Sequence, residues 1–240
     1  GGLGTYTAKH RPIAVYSPEA DKTFFTYGGT TEKDERHLLI MVSYFDHATG
    51  TVPKPVVVHD KEGVNDPHDN GAIALAEDGH IWVFVSGRGR SRPGFKYRSL
   101  APHSIDGFER ISEEEMTYPQ PCVIPGKGFV HMFTRYTAGR ELYWNASPDG
   151  RAWTEPQKLA GMGGHYQVTE SNADWVYTAF NMHPGGSVDK RTNLYFVKSG
   201  DLGGTWRTAD GTAVETPMTD RHGPALVRDY EAEGRLVYVK

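Results

Sequence analysis

A single cysteine, Cys122, rules out any disulfide within the chain. Compartment stays open on that ground, because a secreted domain can also lack disulfides. No apolar run approaches the ~20 residues that cross a bilayer, so no membrane partner is expected. Positive charge is not in excess: 26 Lys and Arg against 30 Asp and Glu give a net charge of −4. That balance lacks the basic footprint of a nucleic-acid binder. Long helical periodicity is absent as well. What is abundant is glycine, 28 residues, and aromatic side chains, 12% of the 240-residue chain. Many short strands joined by tight turns need both. The chain opens GGLGTYTAKH and closes RLVYVK in a strand-like run. We expect a piece of a longer protein whose leader is not included, located in the periplasm or outside the cell.

Three turns repeat one pattern: SIDGF at Ser104–Phe108, SPDGRAW at Ser147–Trp153 and SGDLGGTW at Ser199–Trp206. Their serines lie 43 and 52 residues apart. A weaker relative, YFDHATGTV, occupies Tyr44–Val52. An Asp carboxylate accepts backbone N–H groups across such a turn, Gly takes the positive φ, and the aromatic packs beneath. Between the turns, apolar and polar residues alternate as in strands. Four strands per unit, repeating at about fifty residues, predict an all-β fold, a β-propeller of four-stranded antiparallel blades. The blades are read at 11–60, 66–115, 117–162 and 163–216, with a partial fifth at 221–240, as one domain. Four and a half blades predict a fragment of a six- or seven-bladed ring. The turn resembles the Asp box of the sialidase superfamily.

Strand direction turns this layout into a candidate site. In an antiparallel blade, the start of strand one and the end of strand two share an end, and the repeated turns lie at the other. Strand-one starts supply His10 and Arg11, His68 and Asn70, Tyr118 and Gln120, His165 and Tyr166, and Arg221 and His222. Strand-two ends supply Tyr27, Arg88 and Arg90, Arg135 and Tyr136, and Asn181 and His183. Turns ordinarily favour Gly, Pro, Asn, Asp and Ser. Repeated His, Tyr and Arg instead predict a polar, cationic mouth that attracts an anion. The stretch DPHDNGAIAL, Asp66–Leu75, poses the question most sharply. Turn chemistry accounts for its Asp, Pro and Asn, but not for His68. Asp66, His68 and Asp69 are too close in sequence to be a convincing metal set, so no metal and no cofactor is expected.

The segments DPHDNGAIALAEDGHIWVFVSGRGR and TYPQPCVIPGKGFVHMFTRY resemble the BNR-repeat propellers that include the ulvan lyases. In those lyases a His opens the inner strand of one blade, a Tyr-Pro pair opens the next, and an Arg ends that blade's second strand. The resemblance therefore implies catalytic roles for His68, Tyr118 and Arg135. The shared mouth read from strand direction makes Arg88, Arg90, Asn70, Gln120, His165, Tyr166, Arg221 and His222 the candidate substrate contacts. One position departs from the pattern: the lyases carry a second His about twenty residues after the first, where this chain has Arg88.

The implied reaction is β-elimination beside a uronic acid in an anionic polysaccharide, carried out by a monomer. An Arg offsets the carboxylate charge, a base removes the α-proton and an acid protonates the leaving oxygen. His68 and Tyr118 fit either order, and both roles could fall to Tyr118. Two other readings compete. A sialidase-type hydrolase would use Arg11, Arg135 and Arg221 as an arginine triad, with Glu170 beside a Tyr. A non-catalytic glycan-binding propeller would account for the missing second His.

Overall fold

In the computed structural model, residues 9–30, 32 and 38–239 are described. They form strands, turns and two single 3₁₀ turns. No helix among them is long and apolar enough to cross a membrane. The chain gathers into two compact units, Gly1–Pro121 and Cys122–Lys240. Each has its own hydrophobic core.

The first unit holds two four-stranded antiparallel sheets. One is β1 (Ala14–Ser17), β2 (Lys22–Gly29), β3 (Leu38–Asp46) and β4 (Val56–Lys61), paired in that order. The other is β5 (Gly71–Leu75), β6 (Ile81–Val85), β7 (Gly94–Ser99) and β8 (Phe108–Glu114), again in order. The apolar runs GAIAL and IWVFV are buried on both faces, apart from the half-buried Leu75. Continuous apolar strands of this length do not alternate because neither face meets water. Phe24, Ile40, Val42, Ile73, Val83 and Phe95 close the core between the two sheets.

β9 (Thr117–Ile124) carries the division between units. It is followed by β10 (Gly128–Tyr136), β11 (Arg140–Ser147) and β12 (Gln157–Ala160) in a third sheet. The fourth sheet is β13 (Gln167–Ser171), β14 (Val176–Met182), β15 (Thr192–Ser199), β16 (Trp206–Arg207) and β17 (Ala213–Val214). Trp144 meets Trp206 edge to face at 5.4 Å in the core of the second unit, and Phe180 stacks on Tyr195 at 5.1 Å. Such pairs contribute beyond the area they bury. The pairing of the third strand with the fourth slips at Ile40/Met41, Lys96/Tyr97 and Leu142/Tyr143. The repeated irregularity marks the outer edge of these three sheets, and bulged edges discourage edge-to-edge pairing.

The expected fifth blade does not form among the described residues. β18 (Leu226–Arg228) pairs instead with β15, and 235–239 form no strand. The reason is an open edge. β16 is two residues long and covers β15 only at Lys198. Leu194 and Tyr195 are left to pair with Arg228 and Leu226.

The repeated turns join the third and fourth strands of their sheets, as their spacing predicted. In the turn after β11, the Asp149 carboxylate accepts from the N–H groups of Arg151 and Ala152 at 2.8 and 3.0 Å. Ser147 Oγ accepts from Gly150 N at 2.7 Å. After β15, Asp201 accepts from Thr205 N at 2.8 Å and Ser199 Oγ accepts from Gly203 N at 2.9 Å. Ser199 is fully buried, whereas the Ser104 bonds to Asp106 lie at the surface. Ser199→Ala should therefore cost ~1–2 kcal/mol of stability by orphaning a buried N–H. Ser104→Ala should cost less than half as much. Urea denaturation of both variants checks the contrast, and equal losses would contradict it.

Candidate functional site

In the first unit the site is built outward from one buried ammonium. Lys61 ends β4 and is 6% exposed. Its Nζ donates to Asp69 Oδ2 at 3.0 Å, to the Ser86 carbonyl at 2.6 Å and to the Pro93 carbonyl at 3.1 Å. An ammonium has three protons, and here each has an acceptor. Burial lowers the Lys61 pKa, and Asp69 opposes that shift. Three segments are thereby tied together: the turn before β5, the end of β6 and the residue before β7.

The turn before β5 is a 3₁₀ turn, Pro67–Asp69, capped by Asp66. Proline at its first position needs no N–H partner. Asp69 is fully buried between Lys61 and Arg92, whose Nη2 donates to Asp69 Oδ1 at 2.8 Å and to Asp66 Oδ2 at 2.7 Å. Asp66 Oδ1 accepts from the backbone N–H of His68 at 3.0 Å and lies 2.6 Å from His68 Nδ1. Burial pushes the Asp66 carboxyl up. The hydrogen bonds from His68 and Arg92 outweigh it, and the net pKa falls well below the usual carboxylate range. Asp69 is thus a structural charge, and Asp66 is the partner of the histidine. Among the described residues no three His, Cys, Asp or Glu side chains converge as a metal site.

Ser86 connects this turn to Tyr118. Its N–H donates to the Asn70 carbonyl at 3.0 Å, and its Oγ accepts from Tyr118 N at 3.2 Å. Gly87 N donates to the Met116 carbonyl at 2.8 Å, and Thr117 Oγ1 to the Gly87 carbonyl at 3.1 Å. Tyr118 has φ +55°, a left-handed conformation rare for an aromatic residue and kept only where surroundings impose it. Its ring lies 5.9 Å from that of His68 and 5.7 Å from that of His10. His10 Nε2 donates to the His68 carbonyl at 2.9 Å. Tyr118 is 3% exposed, and the His68 side chain is 27% exposed.

The remaining candidates of this unit divide. Arg88 is half-buried and Arg90 exposed, on the loop after β6, with Arg90 3.6 Å from Glu115. Asn70 and Gln120 are buried. The Gln120 amide donates to the Lys9 carbonyl at 2.9 Å, and Asn70 packs so tightly on Gly28 that a Cβ there would collide with its Oδ1.

In the second unit, half-buried Arg135 is the next-to-last residue of β10, its guanidinium 5.8 Å from the Phe133 ring and 5.6 Å from the Tyr143 ring. His165 is fully buried, with Nδ1 donating to the Asn181 carbonyl at 2.8 Å and Nε2 accepting from Met162 N at 3.0 Å. Both ring nitrogens serve the loop, so the side chain acts as a strand-entry brace. Tyr166 is half-buried, its ring 4.6 Å from the Arg191 guanidinium. Arg221 pairs with Glu231 at 3.0 Å, and His222 lies 3.5 Å from Asp229; both are exposed. Sequence reading passed over Lys61 and treated Arg92 only as part of an arginine-rich loop. The available signal was Asp69 itself: a second carboxylate next to an apolar strand calls for a cation.

A family described as BNR repeat-containing matches residues 19–238, and the chain belongs to that family. No curated protein matches it in sequence. Among solved structures, a polysaccharide lyase of the ulvan lyase type, bound to -[GlcA(1-4)Rha3S]-, superposes with a TM-score of 0.74 at 16% identity, over 91% of this chain and 58% of that one. The polysaccharide lyase Uly1 gives 0.70 at 14% identity, over 94% and 60%. The chain thus spans about 58 to 60% of the length of these lyases. The likeness establishes the fold as an all-β propeller type built of four-stranded blades.

His165 offers a direct check on the placements. Burial holds its pKa down to about 4, against the pull of the Asn181 carbonyl and the Glu141 charge. The unfolded chain binds a proton near pH 6.5 and the folded one does not, so stability is lost as pH falls from 6.5 towards 4. His165→Gln should flatten that loss by up to about 1 kcal/mol per pH unit. Urea midpoints for parent and variant at pH 7 and pH 5 measure it, and parallel slopes would contradict the assignment.

Proposed function

We propose that this protein is a polysaccharide lyase that cleaves a uronic-acid-containing, anionic polysaccharide by β-elimination. The observation that carries the reading is the pairing of His68 and Tyr118, two proton-handling side chains 5.9 Å apart. Each is held by independent hydrogen bonds at the start of an inner strand. The likeness to lyases, one of them holding a glucuronate-containing sugar, supports it.

In the reaction, a base removes the proton α to the uronate carboxylate. The electron pair forms a C=C bond and expels the glycosidic oxygen, which takes up a proton. His68 is the candidate base, since a neutral imidazole nitrogen can accept the proton. Tyr118 is the candidate acid. Arg88, beyond the end of β6, is the candidate that offsets the carboxylate charge, as a guanidinium does with paired donors. Arg135 is proposed for the same task from the family resemblance alone. A polymer of this kind does not cross a cell membrane, so a secreted or periplasmic location follows from the substrate.

Ultraviolet absorbance of the new double bond tests the proposal on a panel of uronate polymers. A rise is expected with the parent protein. Tyr118→Phe and His68→Ala should each lower the rate by ~10²–10⁴-fold without altering the melting profile. Reducing ends released with no absorbance rise would point to hydrolysis and overturn the elimination.

A further inference from the structure

We propose that Asp66, anchored by Arg92 and through it by the Lys61–Asp69 pair, is a positioning residue that sets the tautomer of His68 and leaves Nε2 as its proton acceptor. This rests on the lyase reading of the same site and deepens it by identifying which nitrogen works and what orients it.

An ionised carboxylate can only accept hydrogen bonds. Asp66 Oδ1 lies 2.6 Å from His68 Nδ1, so Nδ1 carries the proton in that contact. In a neutral imidazole the other nitrogen, Nε2, then holds the lone pair. The same Asp66 oxygen accepts the His68 backbone N–H at 3.0 Å, which fixes the ring relative to its own main chain. Asp66 itself cannot swing away, because its second oxygen is held by Arg92 Nη2 at 2.7 Å.

Arg92 in turn is fixed by Asp69 at 2.8 Å, and Asp69 by Lys61 at 3.0 Å. The chain of alternating charges runs from a buried ammonium to the imidazole: Lys61, Asp69, Arg92, Asp66, His68. A bare turn needs one carboxylate cap; this one carries a second carboxylate, Asp69, fully buried and paired with both Lys61 and Arg92. From a third side His10 Nε2 donates to the His68 carbonyl. The Tyr118 ring, 5.9 Å away, packs beside the imidazole. An imidazole oriented through one nitrogen by a carboxylate, with the other offered to substrate, is the arrangement general bases use.

The test is Asp66→Asn, with Asp66→Ser as a second variant; both keep an oxygen for the His68 N–H, so the turn is retained. Nitrogen-15 NMR of the imidazole groups, with His68 assigned by difference from His68→Gln, reads the tautomer directly. The parent should show His68 protonated at Nδ1. The variants should lose that preference while their melting profiles stay within a few degrees. On the uronate polymer that the parent cleaves, kcat should fall at least 100-fold with KM changed less than threefold. An unchanged His68 tautomer in both variants, or unchanged kcat in folded variants, would overturn the proposal. A flat absorbance trace with the parent would contradict the lyase reading instead, and the tautomer measurement would then decide this inference alone.

Discussion

The buried ammonium of Lys61 is the constraint from which the first unit's candidate site follows. A charge removed from water costs several kcal/mol unless it is paired and fully hydrogen-bonded. Lys61 meets that demand with acceptors from three segments, Asp69, Ser86 and Pro93. Satisfying one ammonium therefore fixes the turn before β5, the end of β6 and the chain entering β7. Those segments carry His68, the seryl hydroxyl that receives Tyr118 N, and the loop of Arg88, Arg90 and Arg92. Removing one partner of such a pair leaves the other buried and uncompensated. The charge is thus a specifying element rather than a net source of stability.

That constraint also explains the strained tyrosine. Tyr118 adopts φ +55° although it is neither glycine nor asparagine. Its own N–H donates to Ser86 Oγ, Thr117 Oγ1 donates to the Gly87 carbonyl and Gly87 N donates to the Met116 carbonyl, and these bonds hold the backbone there. In this conformation the ring lies 5.7 Å from that of His10 and 5.9 Å from that of His68. Local cost accepted where three rings meet is the pattern expected of a working site rather than of a packing element.

Much of the architecture was legible in the sequence, because it rests on local rules. The Ser-x-Asp turns state their own hydrogen bonds, and two-residue alternation marks strands whatever lies around them. The partner of GPALVRD, expected to open a fifth blade, is not set by a local rule: the run pairs with β15 because β16 leaves that edge open. The candidate site was legible in its chain positions but not in its exposures. His165, Asn70 and Gln120 share strand-entry positions with His68 and Tyr118, yet the His165 ring spends both nitrogens on its own loop, the Gln120 amide is held by the Lys9 carbonyl and Asn70 packs against Gly28. No periodicity distinguishes a histidine that braces a loop from one that faces solvent. Arg92 was hidden for the opposite reason, since RGRSR reads as a solvated loop until Asp66 and Asp69 are seen to claim its guanidinium.

The most direct measurement is a crystal structure of the His68→Ala protein with a bound uronate oligosaccharide that the parent cleaves. The account predicts the uronate seated against the Tyr118 ring, its α-carbon within hydrogen-bond reach, about 3 Å, of the position that His68 Nε2 occupies in the parent. The glycosidic oxygen should lie within the same distance of the Tyr118 hydroxyl. A sugar bound away from the turn of Asp66–Asp69, touching neither the vacated imidazole position nor Tyr118, would contradict it.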